Sequence, residues 1–385
     1  MSRVLMIPHV PIRTDLRIRS VEIAQHLARS GRHEVDVLKW EAGNSSSNRL
    51  LRGLHRMAET LSTIMSKPRA DTLSGIRTVM IPHMLFPPVV STKFNRKSLD
   101  MFVRSNDVET IINANGVHFG IGSSTLSRVN YVYDLVDDHL SPSANRTWKR
   151  VRDFTLREIR NSQAVITISR SLQRILEDFG VAATVVPNGV DIARCAMYDQ
   201  EALQSLRCEY GLSDRPVVAY IGNHNTWFSN SGFLLRAFRL LRKERKDAAL
   251  LIVGPVLPAE ANHLRHEPGV VVTGSVPVER VHLYFQIAHV GVVPFLQMPF
   301  TNHSLPLKVL EFGGARKPVI ATPLSELRLL RLPHVTLLPL DEHLWAEALK
   351  AALDRDRAWD PAWDERIKQY DWPNALKPLD TLIGM

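Results

Sequence analysis

Short apolar runs alternate with amphipathic stretches along this chain. Val4-Leu-Met-Ile7 is the first run, and the 3.6-residue spacing that follows predicts a helix near Arg17–Ser30, ended by Gly31. Glu34–Lys39, Ile76–Ile81, Thr110–Asn113, Asn130–Asp134, Ala164–Ile168 and Thr184–Pro187 read as further strands, with helices filling most of the gaps. Val217–Ile221, Ala249–Val253, Val270–Thr273, Val290–Pro294, Pro318–Ala321 and Thr336–Leu338 repeat the plan. Runs this apolar belong to strands buried on both faces. Alternation with helices makes the chain α/β, with two doubly wound, Rossmann-like parallel sheets. The join falls at Val186-Pro-Asn-Gly-Val-Asp191, where Asn-Gly signals a turn and Gly189 can take a positive φ. The units are expected over 1–187 and 188–370.

Residues 44–75 break the rhythm. A Ser/Asn run precedes Arg49–Lys67, in which Leu50, Leu54, Met57, Leu61 and Ile64 recur at helical spacing beside Arg49, Arg52, His55 and Arg56. Such a basic amphipathic helix, residues 49–67, suits an anionic membrane surface, or packs on its own sheet with its charges solvated. Charge separates the two halves. Of 48 basic and 39 acidic residues, 26 and 17 lie in positions 1–180, which leaves 22 of each beyond. The whole net charge of +9 therefore sits in the first half, and an anionic partner there is expected: phospholipid, a lipid-linked phosphate or nucleic acid. No zinc spacing or basic–aromatic interleaving accompanies the charge, so no nucleic acid is expected. An apolar content of 45% with 23% charge is globular composition. Cys195 and Cys208 lack metal or redox spacing and read as reduced thiols. No apolar run approaches a membrane span, and residues 1–12 carry no signal-peptide pattern, so the expectation is cytoplasmic, with peripheral attachment at the inner membrane face as an option.

The chemistry concentrates in Ser304-Leu-Pro-Leu-Lys-Val-Leu-Glu-Phe-Gly-Gly-Ala-Arg-Lys-Pro-Val-Ile-Ala-Thr322, read as a turn, a helix closed by Gly313 and Gly314, and a buried strand. Pro306 sits near the first helical turn, where its missing N–H costs least. Free N–H groups at the helix start with Lys308 one turn in form a site for a diphosphate. Glu311 lies on the same face and can accept from a ribose diol. An ordinary surface Lys–Glu pair would have the same spacing; Pro306, the glycines and the apolar strand favour the site. Ile221-Gly-Asn-His-Asn-Thr-Trp-Phe228 follows the first strand of the second half, with Gly222 suited to close backbone approach to a ligand and Asn223 and His224 as hydrogen-bonding groups. Gly274 and Ser275 follow another strand, as nucleotide contact or plain turn. Tyr133-Asp-Leu-Val-Asp-Asp-His139 ends a strand with more carboxylates than a turn requires. A carboxylate beside another carboxylate is a better base, while Asp also caps helices well. Arg13, Arg17 and Arg19 between the first strand and helix either hold a phosphate or acidic sugar, or pair with Asp15 and Glu22.

Ser304–Thr322, with its helix N-terminus, Lys308 and Glu311, resembles the nucleotide-sugar site of GT-B glycosyltransferases, particularly glycosyltransferase family 4 and related bacterial polysaccharide enzymes. The resemblance implies a GT-B fold with residues 371–385 crossing back to the first domain. It implies transfer of a sugar from a nucleotide diphosphate sugar, foremost a UDP-sugar, to a hydroxyl of a glycan, lipid-linked or small-molecule acceptor, with no cofactor and no metal. Donor binding falls to Gly222, Asn223, His224, Gly274, Ser275, His303, Ser304, Leu307, Lys308 and Glu311; acceptor binding to Arg13, Arg17 and Arg19; general-base catalysis to Asp137, with Asp138 and His139 as substitutes. Two departures stand out. Glu311 matches the second of the family's two glutamates, but His303 occupies the first. The loop after Ile221 lacks the Gly-Arg pair. Asp137 as base implies inversion, the family at large retention. A non-catalytic nucleotide-binding or scaffold protein of this fold is the alternative.

Overall fold

The computed structural model describes residues 1–12, 18–40, 69–73, 75–83, 88–142, 147–354 and 359–383. The expected basic helix at 49–67 and the candidate residues Arg13 and Arg17 lie outside them. Two compact units emerge. The first comprises Met1–Ile168, Leu172–Val186 and Leu376–Met385, the second Ser169–Ser171 and Pro187–Ala375.

The first unit holds an eight-stranded sheet of β1 (Ser2–Ile7), β2 (His33–Leu38), β3 (Arg69–Leu73), β4 (Ile76–Met80), β5 (Thr110–Asn113), β6 (Asn130–Leu135), β7 (Ala164–Thr167) and β8 (Thr184–Val185), ordered β3-β4-β2-β1-β5-β6-β7-β8. All pairings are parallel except β3–β4, which runs Arg69↔Met80 to Leu73↔Ile76. Strand β3 has no apolar run to announce it, because an edge strand needs no buried stripe. Gly75, at φ 78°, begins the turn back into β4. Leu5, Met6, Ile7, Ile111, Ile112, Tyr131 and Val132 are almost wholly buried between the flanking helices. The tail rejoins this unit, where Asp380 Oδ1 meets His26 Nε2 at 2.6 Å.

The second unit holds β9 (Val217–Ile221), β10 (Ala249–Val253), β11 (Val270–Gly274), β12 (Val290–Val293), β13 (Val319–Ala321) and β14 (Val335–Leu337), all parallel, ordered β11-β10-β9-β12-β13-β14. Strands β9 and β10 are buried at every position, as their unbroken apolar sequence requires. Each sheet reverses its winding once, between β1 and β5 and between β9 and β12. A crevice opens at the carboxyl edge of such a switch point.

Three glycine expectations change. Gly189 is not among the positive-φ residues. Its missing side chain instead admits Trp372, since a Cβ there would lie 2.5 Å from the indole. Gly313 and Gly314 do not close their helix but are its last two residues, Leu307–Gly314, and Arg316 takes the left-handed position at φ 56°. A Cβ on Gly313 would sit 2.6 Å from Ile367, and one on Gly314 3.0 Å from Cys195. Both glycines therefore let neighbouring segments pack closely on the helix.

Candidate active site

At the switch point of the second unit, Pro306 (φ −65°) occupies the cap position and Leu307 begins the helix. One residue on, Lys308 points its Nζ at two rings, 4.7 Å from the Tyr220 centroid and 4.8 Å from that of Phe295. The aromatic faces stabilise a cation there but cannot replace its hydration. Burial pushes the Lys308 amine down to about 7, Glu311 pulling weakly the other way. A charge held this way gains most when an anion arrives.

Glycine is required beside it. Gly222 has φ 138°, and a Cβ there would lie 2.7 Å from Lys308 Nζ. Gly254, at the end of β10 with φ 123°, would place a Cβ 2.0 Å from the Gly222 carbonyl oxygen. Gly222 N–H donates to Val253 O (2.9 Å) and Gly254 N–H to Gly274 O (2.8 Å), so three adjacent strand ends are tied in a ladder without side chains. The backbone is thereby open to close approach by a bulky ligand.

The loop into the lysine helix is pinned by buried polar groups. Ser169 Oγ donates to His303 O at 2.5 Å, and Asn188 Nδ2 to Leu305 O at 3.0 Å. Ser171 Oγ donates to Glu326 Oε2 (2.7 Å), which also accepts Ser171 N–H (2.8 Å), while Oε1 accepts Arg170 N–H (3.2 Å). Glu326, Ser169 and Ser171 are buried, so this carboxylate organises the turn that holds His303.

In the first unit, loops after β1, β5 and β6 meet at the switch point. Asn115 accepts N–H bonds from Val117 (3.1 Å) and His118 (2.7 Å), and its Nδ2 reaches Pro8 O (3.4 Å). His139 packs against Gly116, where a Cβ would lie 2.8 Å from the ring. Asp137 is partly buried, and burial first, Asp138 second, raises its carboxyl from 3.8 to about 7. Among the described residues no cation offsets this rise. Arg19 is buried and bidentate on Asp134 (Nε–Oδ2 2.9 Å, Nη2–Oδ1 3.2 Å). Burial, then Arg19 and His139, push His9 down to about 4, and burial lowers His139. Both imidazoles are therefore neutral at pH 7, and Asp137 keeps a proton affinity suited to a base.

The family models assign each half. "Glycosyltransferase Family 4" matches residues 18–194 and "Glycosyl transferases group 1" matches residues 215–355. The chain is a GT-B glycosyltransferase of the family 4 type. It is similar to TuaH of Bacillus subtilis, a glycosyltransferase assigned to teichuronic acid biosynthesis, at 24% identity over 73% of this chain and 79% of that protein. It is 30% identical to the GDP-mannose-dependent α-(1-6)-phosphatidylinositol monomannoside mannosyltransferase of Mycolicibacterium smegmatis, over 57% of this chain and 59% of that one. Among solved folds, HepE of Anabaena in complex with UDP superposes with TM-score 0.67 at 15% identity, covering both chains fully.

The glycosyltransferase thus brings together Gly222, Leu307, Lys308 and Glu311 in one unit, and Asp137, Asp138 and His139 in the other. Several expected residues have other tasks. His224 faces inward, with Nε2–H donating to Val253 O (3.2 Å) and its ring edge-on to Tyr220 at 4.2 Å; burial, then Lys308, push it down to about 3. Asn223 Oδ1 accepts Asn225 N–H (2.9 Å), which shapes the loop. Asp138 Oδ1 accepts Leu140 N–H (3.0 Å) and Ser141 N–H (2.8 Å), so it ties a turn instead of waiting as a spare base. Arg19 is bidentate on Asp134, 115 positions away. Ser304 Oγ donates to Thr301 O at 2.8 Å, and Ser275 is exposed beyond Gly274. The sequence places Pro294-Phe295 at the rim of this crevice, and Phe295 does wall Lys308; sequence reasoning missed Gly254, the Tyr220 wall and Glu326. Of these only Gly254 left a trace, as a Gly-Pro after an apolar strand.

Proposed function

We propose that this glycosyltransferase moves a sugar from a nucleotide diphosphate sugar, a UDP-sugar first, to the hydroxyl of a glycan, lipid-linked or small-molecule acceptor in polysaccharide or glycoconjugate biosynthesis. The carrying observation is Lys308, desolvated between two rings and against Gly222. The diphosphate binds at the start of helix Leu307–Gly314, takes its cation from Lys308, and leaves the ribose diol to Glu311. Lys308 and the helix dipole stabilise the charge that grows on the departing diphosphate as the C1–O bond breaks. Asp137 takes the proton of the acceptor hydroxyl as its oxygen bonds to C1. The lysine supplies the positive charge a metal would otherwise bring, which supports a metal-independent reaction. HepE has also been crystallised with UDP-glucose, which supports a UDP-sugar here. The membrane-facing readings, a cytoplasmic enzyme at the inner face meeting anionic lipid, rest on the basic first half; no described helix is long and apolar enough to span a bilayer.

The test is thermal stabilisation by UDP, GDP, ADP and dTDP and their sugar conjugates, followed by turnover with the donor found. Lys308→Ala is expected to weaken the chosen nucleotide about 100-fold, the scale of a charge-assisted contact to phosphate. Unchanged affinity overturns the site. His303 in place of a glutamate favours a second reading, a nucleotide-binding protein without transfer. Binding with no turnover across a broad acceptor panel would establish it.

A further inference from the structure

We propose that Trp227 is a stacking platform for a pyranose ring, a subsite adjoining the Lys308 crevice; the assignment rests on Lys308 as the phosphate contact. The loop after β9 is rigid. Asn225 N–H donates to Asn223 Oδ1 (2.9 Å), Ser229 Oγ donates to His224 O (2.8 Å), Tyr220 Oη to Ser229 O (3.0 Å) and Leu296 N–H to Phe228 O (3.0 Å). This loop nonetheless holds the Trp227 indole 64% exposed, while Trp40, Trp345 and Trp372 are at most 8% exposed. Large rings normally gain by burial, so a fixed loop that displays one in water keeps a face ready for a partner.

Its surroundings say where that face lies. Trp227 meets Phe228 edge-on at 5.7 Å and Phe300 at 6.0 Å. Phe228 packs edge-on to Phe295 at 4.9 Å, and Phe295 carries Lys308 Nζ at 4.8 Å. A continuous aromatic wall therefore runs from the phosphate-binding cation to the exposed indole. Residues 222–228 include no lysine or arginine, so the loop offers a ligand ring faces and neutral hydrogen-bonding groups instead of charge. A pyranose fits that offer. One of its faces is lined with C–H bonds that pack on an indole, and its rim hydroxyls remain for Asn223 and Thr226. The ring belongs either to the donor sugar or to a glycan acceptor.

Calorimetric titration with UDP, UDP-glucose and maltose separates these sources. In Trp227→Ala the affinity for UDP-glucose or for maltose should fall about ten-fold while that for UDP stays unchanged; Trp227→Phe should stay within about two-fold. A loss confined to UDP-glucose assigns the donor ring, and one confined to maltose assigns the acceptor. The proposal is overturned if both sugars bind Trp227→Ala as they bind the parent, or if UDP weakens equally, which would mean base stacking. It is also overturned if the variant's defect is loss of retention on phosphatidylglycerol vesicles. Failure of UDP to bind the parent protein strikes the Lys308 reading, and the maltose titration still reads Trp227.

Discussion

The two carboxyl-edge crevices share a plan and oppose each other in charge. Among the described residues of the first unit, the site presents carboxylates, and its histidines are held neutral while Arg19 is already paired with Asp134. In the second, a lysine is desolvated between two rings, and among the described residues Glu311 is the carboxylate that acts on it. Burial disfavours whichever form is charged, so the same desolvation raises Asp137 and lowers Lys308, and both arrive near 7. One fold plan thus sets up a carboxyl of raised proton affinity in one unit and a desolvated amine in the other, according to which charge it buries.

Removing the first half of that contrast has the largest expected effect. Asp137→Asn should lower kcat about 10²–10⁴-fold while leaving nucleotide affinity intact. It should also stabilise the fold above pH 7. The Asp137 carboxyl is raised from 3.8 to about 7, so between those values the folded protein holds a proton that the unfolded chain has released. Stability is lost as pH climbs through that window, and Asn removes the loss, a gain of about 1–3 kcal/mol at pH 8. Denaturant melts at pH 5 and pH 8 check it; equal destabilisation at both would remove the buried-base assignment.

The glycines of the two crevices differ in what they face. At Gly254 an added Cβ meets the backbone carbonyl of Gly222 at 2.0 Å, whereas at Gly116 it meets the His139 ring at 2.8 Å. Backbone inside a three-strand ladder cannot yield, and φ 123° is itself hostile to a side chain. Gly254→Ala should cost about 3 kcal/mol or more and abolish UDP binding, while Gly116→Ala, which can move a ring, should cost about 1 kcal/mol and act mainly on kcat through His139. Equal losses of thermal stability would erase the distinction.

What the sequence disclosed follows the same line. The strand pattern, the fold and the Lys308 helix were legible because each is a local arrangement: a run, a cap, a spacing of three. The unread part depends on neighbours in space. Gly254 matters because β9 lies beside β10; Arg19 pairs across 115 residues; and His224, read as a displayed ligand, turns inward because Tyr220 and the end of β10 receive it. Strand β3 escaped because an exposed edge carries no stripe. The role of Glu326, which accepts from Arg170 and Ser171, is likewise spatial. Glu326→Ala leaves those buried donors unmet and should cost about 1–3 kcal/mol, with a few-fold loss of UDP affinity as the His303 loop loosens. Glu326→Gln keeps an acceptor oxygen and should recover part of both; an alanine variant with full UDP affinity would show that the network only stabilises.

The smallest effect sharpens the second half of the contrast. With the free Lys308 amine near 7, an arriving diphosphate must bring a proton to the lysine wherever pH exceeds that value. UDP affinity should therefore fall about five-fold from pH 7 to 8 and about ten-fold from 8 to 9, the slope of one proton taken up per ligand bound. Lys308→Arg keeps its charge throughout this range, so its affinity, even if lower at pH 6, should show no such slope. Because UDP itself is almost fully ionised above pH 7, a fall common to both proteins would belong to other groups. A flat profile in the parent protein would mean that the lysine is solvated and ordinary, and that the two crevices do not differ in the way argued.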